Sequence, residues 1–571
     1  MKDSLHVYRP HLFIAFILAL MLSGGQLFSQ VTQRDTILKW RHFDYTLDAG
    51  NGMESYSTSQ IVEEEYQGVV LENEYVRLVI LPDFGARIIS FLYKPTGHEQ
   101  FYTNPVGTPY GMGDGNFYYD WLMVFGGVFP TFPEPEHGKT WLLPWQWEFT
   151  EISEESISLR MQIKDTIDYP GHPGKFNNGV TDVICTSTVR LEKGKTSFEL
   201  NHSLQNTKSS EVILEYWTCA TLAPGSVPEN TFTPANSKII APIDFVYLKD
   251  DWWSWMGNAE VPAPQQGNHV FYYENLGSYD NWDDMGIAYA FPNLQESYYG
   301  VVNNTNSEGV FRISDNAGTT PGMKFWTWGA QQGLNADPEN FYQNARPYIE
   351  LWSGLSAQFF EDASLDANET LSWTETYLPS LGMDDVSTVN EHGALHVETI
   401  SGEEARFETS IFMNLPDSVF TLDIDLKGGI DINLHDGEFT AQSNSSNNYT
   451  FYLADYAIPD GDYELKAVVS RPEDDEVLSY AMPVTIPFPA SGIPQQNISL
   501  PRVIRLDANN YKLMFSTPAQ RNIKIFSING QYVDQHITNG KETSIYIETP
   551  GFYILYILER GLAYPVKIHC R

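Results

Sequence analysis

Cysteine is nearly absent from this chain: Cys185, Cys219 and Cys570 are the whole set among 571 residues. Three thiols make neither a disulfide framework nor a zinc-ligand pattern, although Cys185 and Cys219 fall in neighbouring strand-like segments that could pair. Positive charge is scarce as well, with 34 Lys and Arg against 73 Asp and Glu and a formal charge of −39. A surface this acidic repels phosphate backbones, so neither nucleic acid nor an anionic membrane is expected as a partner. Keeping an exported protein soluble is reason enough for the acidity. Helical periodicity is missing: no stretch longer than two or three turns keeps apolar residues at i, i+3, i+4 and i+7. No phosphate loop, dinucleotide fingerprint or nucleophile elbow occurs. The acidic clusters "DDWWSW" (Asp250–Trp255) and "WDD" (Trp282–Asp284) lack EF-hand spacing, so no metal and no other cofactor is expected.

Long apolar runs are limited to one. Leu12 to Leu22 is unbroken, preceded by Lys2 and Arg9 and followed by small and polar residues. Such a run is too short to span a bilayer but suits a signal-peptide core, with cleavage expected near Gln30. The mature chain is therefore expected to pass through the periplasm and to be secreted or held on the outer cell surface, not to be an integral membrane protein.

What the chain does have is aromatic side chains: 14 Trp, 33 Tyr and 32 Phe. They sit in alternating segments punctuated by Gly, Pro and Asn, which predicts an all-β protein. Four parts are expected: a signal peptide (1–30), a long β-rich region (31–385), a small Ig-like β-sandwich serving as a spacer (386–490), and a last unit (491–571) whose boundary falls within the linker "PFPASGIPQQN" and which is strand-rich from 498.

Two short stretches raise the functional question. In "PGMKFWTWG" (Pro321–Gly329), period two puts Lys324, Trp326 and Trp328 on one strand face, with Phe325 and Thr327 on the other. In "ARPYIELWSG" (Ala345–Gly354), Tyr348, Glu350 and Trp352 share a face, with Ile349 and Leu351 opposite. Each face carries a single charge among aromatics. A carboxylate hemmed in by indole and phenol rings is desolvated, which raises its pKa toward the range useful for acid–base work, while Lys324 pulls it back down. Aromatic faces also suit the C–H faces of sugar rings. The plainer alternatives are an ion pair of Glu350 with Lys324 or Arg346, core packing for the tryptophans, a simple salt bridge for Arg87, an ordinary loop position for His137 and a structural place on the flank for His202.

The order "ENEYVRLVILPDFGARI", "KPTGHEQFYTNP", "PGMKFWTWG", "PYIELWSG" and "ETLSWTETYLP" resembles an uncharacterised group within the galactose-mutarotase-like (aldose 1-epimerase-like) superfamily, over almost all of 60–385. The resemblance implies a β-supersandwich with a sugar-binding cleft. It also implies Glu350 as the catalytic base, Arg87 as a substrate contact and His137, in the Pro- and Gly-rich loop "GGVFPTFPEPEHGKTW", as a binder of sugar hydroxyls. Lys324, Trp326, Trp328, Tyr348 and Trp217 would complete the binding surface. The family's central histidine is not present: "EYWTCA" has Tyr216 or Trp217 in its place, so a proton donor opposite the base is missing. Hydrolysis would want a second carboxylate roughly 5–10 Å from the first, for which Glu136, Glu215 and Asp120 are the candidates. An eliminase would use His137 or a tyrosine beside Arg87 or Lys324. The expectation is therefore a secreted carbohydrate-active protein of hydrolase, lyase or epimerase type with Glu350 lining an open trough as base or acid and His137 or a tyrosine assisting catalysis, or else a non-catalytic glycan-binding or surface scaffold protein.

The last unit resembles the C-terminal sorting domain of the type-nine secretion system. "NIKIFSINGQYV" reads as a hairpin about Asn-Gly, followed by "GFYILYI" and the closing strand "PVKI". The resemblance implies the secretion machinery as partner and no chemistry in this unit.

Overall fold

In the computed structural model the chain divides into two compact units, Met1–Phe488 and Pro489–Arg571. The structure describes residues 30–47, 53–104, 106, 126–134, 137–141, 143–167, 179–248, 265–267, 269–273, 276–282, 286–291, 294, 296–316, 318–327, 329–330, 347–402, 404–472, 475–488, 502–506, 509–515, 521–527, 532–559 and 562–570. The signal-peptide core, "DDWWSW", most of the linker, Asp120, Glu136, Trp328 and Arg346 lie outside the described residues.

Described secondary structure is β-strand apart from two 3₁₀ turns, and no described helix is long and apolar enough to cross a membrane. The architecture of the larger unit is a supersandwich of two antiparallel sheets. The larger sheet has thirteen strands, and its middle runs His98–Phe101, Trp217–Ser226, Ile349–Gly354, Gly322–Thr327, Gly286–Phe291. A hairpin of two long strands, Thr32–Leu47 and Met53–Glu72, forms one edge. The second sheet has eight strands, with Thr370–Leu381 paired between Phe198–Gln205 and Glu308–Ile313.

The two sheets differ in how they meet solvent, and the sequence pattern says why. Strands such as "ICTSTVRLE" and "FELNHSLQ" in the smaller sheet alternate buried with half-exposed residues, the signature of one wetted face. In the larger sheet "GMKFWT" and "IELWSG" are buried at every position. One face of these strands, with Met323, Phe325, Ile349 and Leu351, joins the core between the sheets. The other face lies under a second apolar layer that includes Trp40, Phe84, Phe129, Trp141, Trp217, Trp352 and Phe359.

After Leu381 the chain builds a sandwich of two four-stranded sheets with its own core, including Phe407, Leu422, Ile424 and Leu465. This sandwich packs on the larger sheets. Tyr93 and Phe412 share a buried cluster, the Tyr93 hydroxyl donates to the Ser443 carbonyl at 2.5 Å, and buried Asn414 accepts from the Thr196 and Ser197 amides at 3.0 and 3.1 Å. The region read from sequence as a spacer is thus fixed in place by polar contacts whose loss would strand buried groups.

The second unit holds a three-stranded and a four-stranded sheet around Leu513, Ile523, Ile525, Leu555 and Ile557. Arg521–Ser527 and Tyr532–Thr538 pair as the antiparallel hairpin that the Asn-Gly signal predicts.

Candidate functional site

Glu350 pairs in register with Trp326 on one side and Thr221 on the other, so three adjacent strands bring their side chains to one spot. Period-two alternation then fixes the company it keeps. Trp352 lies two residues on, and its indole N–H donates to the Glu350 carboxylate at 2.7 Å. The Tyr348 ring is stacked on Tyr102 at 4.2 Å and tilted against Trp326 at 5.7 Å. Lys324, opposite Trp352 in register, holds its ammonium 3.7 Å from the Trp352 ring centre and 4.2 Å from that of Phe359, a desolvated cation–π arrangement.

Arg87 reaches the same place from the "PDFGAR" bend. Gly85 there has φ +71°, and a Cβ on it would meet the Trp141 carbonyl oxygen at 1.8 Å, so only glycine lets the bend press against Trp141. The guanidinium lies 3.6 Å from the Phe129 ring centre and donates to the Gly126 carbonyl at 2.6 Å. His137 stacks on Trp141 at 4.7 Å and is tilted toward Trp352 at 5.7 Å. Its loop is tied down by Lys139, whose buried ammonium is 3.3 Å from Asp165 and 3.7 Å from Glu134. Trp217 sits edge-on to Phe359 at 4.9 Å, and its indole fills the space over Gly354, where a Cβ would come within 2.4 Å.

Burial dominates the electrostatics. It raises the Glu350 pKa above the ordinary carboxylate value, opposed by the Lys324 charge, by hydrogen bonding from Trp352 and Tyr348, and by Arg87. It lowers Arg87 to about 9 against the pull of Cys219 and Glu350. Burial also pushes His137 well below its ordinary value, assisted by the Lys324 and Arg87 charges, so the imidazole is neutral near pH 7. The site therefore offers a carboxyl group of raised pKa, two cations and a neutral imidazole, all in an aromatic enclosure.

Arg87, His137, Trp217, Lys324, Trp326, Tyr348 and Glu350 are brought together. Among the described residues no open trough meets the site: Glu350 is 4% exposed, Lys324 1% and Trp352 0%. The physical reason is the second apolar layer, to which the amino-terminal hairpin and the 126–141 segment contribute from far away in sequence; that segment is not all loop, since Val128–Thr131 is a strand paired with Trp217–Ala220. Of the second carboxylates, Glu215 is spent structurally, accepting from the Phe360 amide at 3.0 Å. Cys185 and Cys219 do not pair; both are free thiols, one in the core between the sheets and the other in the aromatic layer on the opposite face. Among the described residues no group of His, Cys, Asp and Glu is placed to hold a metal ion.

Sequence reasoning missed Cys219, which faces Glu350, Lys324 and Arg87 with a thiol raised by burial. It also missed a polar network on the core side of the same strands. Glu375 accepts there from Thr218 (2.9 Å), Arg312 (3.0 Å), Ser353 (3.0 Å), Trp373 (3.2 Å) and Tyr377 (3.1 Å). His202 belongs to this network, 3.8 Å from Glu375, and is buried at the centre, not placed on the flank. A signal existed: "SWTETY" places Glu375 between Trp373 and Tyr377 on one face, the same lone carboxylate among rings that marks Glu350.

The chain's own sheets define its class, an all-β protein with a supersandwich as its larger unit. A family model described as a domain of unknown function (DUF5107) matches residues 50–151, the stretch carrying Arg87 and His137. Among solved structures, a TPR-domain containing protein from Parabacteroides distasonis is similar at 15% identity and a TM-score of 0.47, over 63% of this chain and 56% of its own length. A galactose mutarotase-like protein from Clostridium acetobutylicum is similar over 62% of this chain and 99% of its own, at 10% identity and a TM-score of 0.39. A galactose mutarotase related enzyme from Lactobacillus acidophilus is similar over 56% of this chain and 100% of its own, at 11% identity and a TM-score of 0.34.

Proposed function

We propose that the larger unit is a carbohydrate-active protein doing acid–base chemistry at a sugar ring of a poly- or oligosaccharide, with Glu350 as the acid or base. The observation that carries this reading is a buried carboxyl group of raised pKa, bonded to Trp352 and set between Lys324, Arg87 and a neutral His137. A carboxyl held in such surroundings exchanges a proton nearer neutrality than a solvated one. Trp326, Tyr348 and Trp217 supply ring faces for a pyranose, and His137 accepts or donates one hydrogen bond to a hydroxyl. Lys324 and Arg87 stabilise negative charge that develops on oxygen. Hydrolase, lyase and epimerase types all fit this set.

The test is incubation of the purified protein with a panel of polysaccharides and oligosaccharides, following reducing ends and unsaturated-uronate absorbance. Glu350→Gln is expected to lower turnover by about 100-fold or more while leaving saccharide binding within a few fold. A parent that turns over saccharide and a Glu350→Gln variant that keeps the rate would sink the assignment. The second reading, a glycan binder without turnover, is favoured by "EYWTCA", which has Tyr216 or Trp217 where the resemblance implies a histidine as proton donor. It predicts binding by both proteins and turnover by neither.

We propose further that the chain is exported under its amino-terminal signal and sorted to the outer cell surface or medium by the type-nine machinery acting on 491–571. The hairpin of Arg521–Ser527 with Tyr532–Thr538 and the closing strands support the resemblance. Removing 491–571 is expected to strand the protein in the periplasm; unchanged recovery outside the cell defeats the proposal.

A further inference from the structure

An enclosed site needs a way in, and the edge hairpin is joined to the next strand over only a short part of its length. Its strands pair with each other from Thr32 opposite Glu72 to Leu47 opposite Met53, yet Met53–Glu72 pairs with the next strand only over Val69–Glu72. Among the described residues the rest is a two-stranded ribbon without a third strand, a structure of marginal stability in water unless something packs on it. The ion pairs of Lys39 with Glu63 and Glu65 join one ribbon strand to the other and are more than half exposed, so they do not dock it.

Side chains dock it on the body, Leu38 and Tyr66 packing against the aromatic layer and Trp40 within it. Trp40 is 5% exposed inside the aromatic layer that also holds Cys219, Trp217 and Trp352. Its indole N–H donates to the Asn104 carbonyl at 2.9 Å, and His42, also buried, lies 5.8 Å from it. Tyr66 meets Phe84 edge-on at 5.3 Å, next to the bend that delivers Arg87. Asn104 closes the segment that carries Tyr102, and the Tyr102 ring stacks on Tyr348 beside Glu350. Ribbon, Tyr102 segment and site wall are therefore mechanically continuous.

We propose that the Thr32–Leu47/Met53–Glu72 ribbon is a strap over the Glu350 site, latched by Trp40, and that a saccharide enters when the latch releases. This rests on reading the Glu350 cluster as the ligand site, but its test does not depend on turnover. Lifting Trp40 opens the aromatic layer while leaving the core between the sheets closed, so the strap opens locally.

Two thiols report the difference. Cys219 lies in the aromatic layer, and Cys185 is sealed in the core between the sheets. The full-length protein is exposed to a small thiol reagent, and modification of each cysteine is followed by peptide mass spectrometry. Trp40→Ala is expected to speed modification of Cys219 by about tenfold or more with Cys185 unchanged. Trp40→Phe keeps an aromatic ring but loses the bond to Asn104, and is expected to show a smaller rise in the same direction. An unchanged Cys219 rate in both variants overturns the latch. So does a rise of Cys185 in step with Cys219, because then the whole unit is opening. If Cys219 responds as expected while Glu350→Gln leaves turnover intact, the strap stands and the catalytic reading of Glu350 fails.

Discussion

Glu375→Ala is expected to destabilise the larger unit by about 3–5 kcal/mol, the cost of leaving a buried charge without its partner. Arg312 is 1% exposed, and removing Glu375 takes away its carboxylate while its contacts with Asn316 and Thr320 are neutral and cannot replace that charge. Four other donors, from Thr218, Ser353, Trp373 and Tyr377, lose their acceptor at the same time. The effect should reach the candidate site as well. Thr218 and Ser353 are register partners on two adjacent strands, and the residues before them, Trp217 and Trp352, form the opposite face. Glu375 therefore clamps from the core side the two strands that present the aromatic enclosure. Glu375→Gln keeps the shape and part of the hydrogen bonding, so it should cost less than alanine while still leaving Arg312 without a counter-ion. Urea unfolding of the full chain, followed by tryptophan fluorescence, measures both. An alanine variant within about 1 kcal/mol of the parent would show that the network is not what holds these sheets in register.

The second large effect is acid sensitivity with a threshold. For Glu375, burial alone would raise the pKa, but Arg312, His202 and the hydrogen bonds hold it down to about 2, below its ordinary 4.5. The folded protein thus keeps a carboxylate that the unfolded chain would protonate. That stability is complete above pH 4.5 and is lost as pH falls toward 2, about 3 kcal/mol in all. His202, lowered to about 4 mainly by burial, acts earlier: the fold needs it neutral, so stability is lost as pH falls from 6.5 toward 4. Glu99 opposes it. Burial raises Glu99 to about 7 against the hydrogen bonds from Ser90 and the Phe91 amide, and the folded state gains on protonating it between pH 7 and 4.5. These two largely offset each other, and His137, lowered by burial like His202, is opposed by Glu350, raised by burial like Glu99, so the steep fall in stability is expected below pH 4.5. Glu99→Gln removes the opposing group, and its stability should decline already from pH 6.5. Denaturation midpoints at pH 7, 5 and 3.5 for both proteins decide it. A parent that is more stable at 3.5 than at 5 contradicts the assignment.

The same polar face could be read or missed depending on whether a pattern ran along the chain or across it. Alternation in "GMKFWT" and "YIELWS" assigned Lys324, Trp326, Tyr348, Glu350 and Trp352 to one side and Phe325, Ile349 and Leu351 to the other, and the sheet register agrees. Period two is a property of a single strand, so it needs no partner to be visible. Which partners face Glu350 is another matter. Thr221 and Cys219 come from a strand more than a hundred residues earlier, and nothing in "EYWTCA" says which register it will take. The Glu375 network was hidden for the same reason: Thr218, Arg312, Ser353 and Glu375 lie on four different strands, and their convergence exists only after two sheets have packed.

By itself, then, the sequence determined an all-β chain, the strand faces and the lone carboxylate among rings, because composition and side-chain period act locally. Only the tertiary structure decided that Glu350 is enclosed and not open to a trough, that Cys185 and Cys219 are kept apart by the larger sheet, and that His202 is central. Those outcomes depend on which surfaces cover one another, and burial, with the pKa shifts it causes, arises between segments distant along the chain.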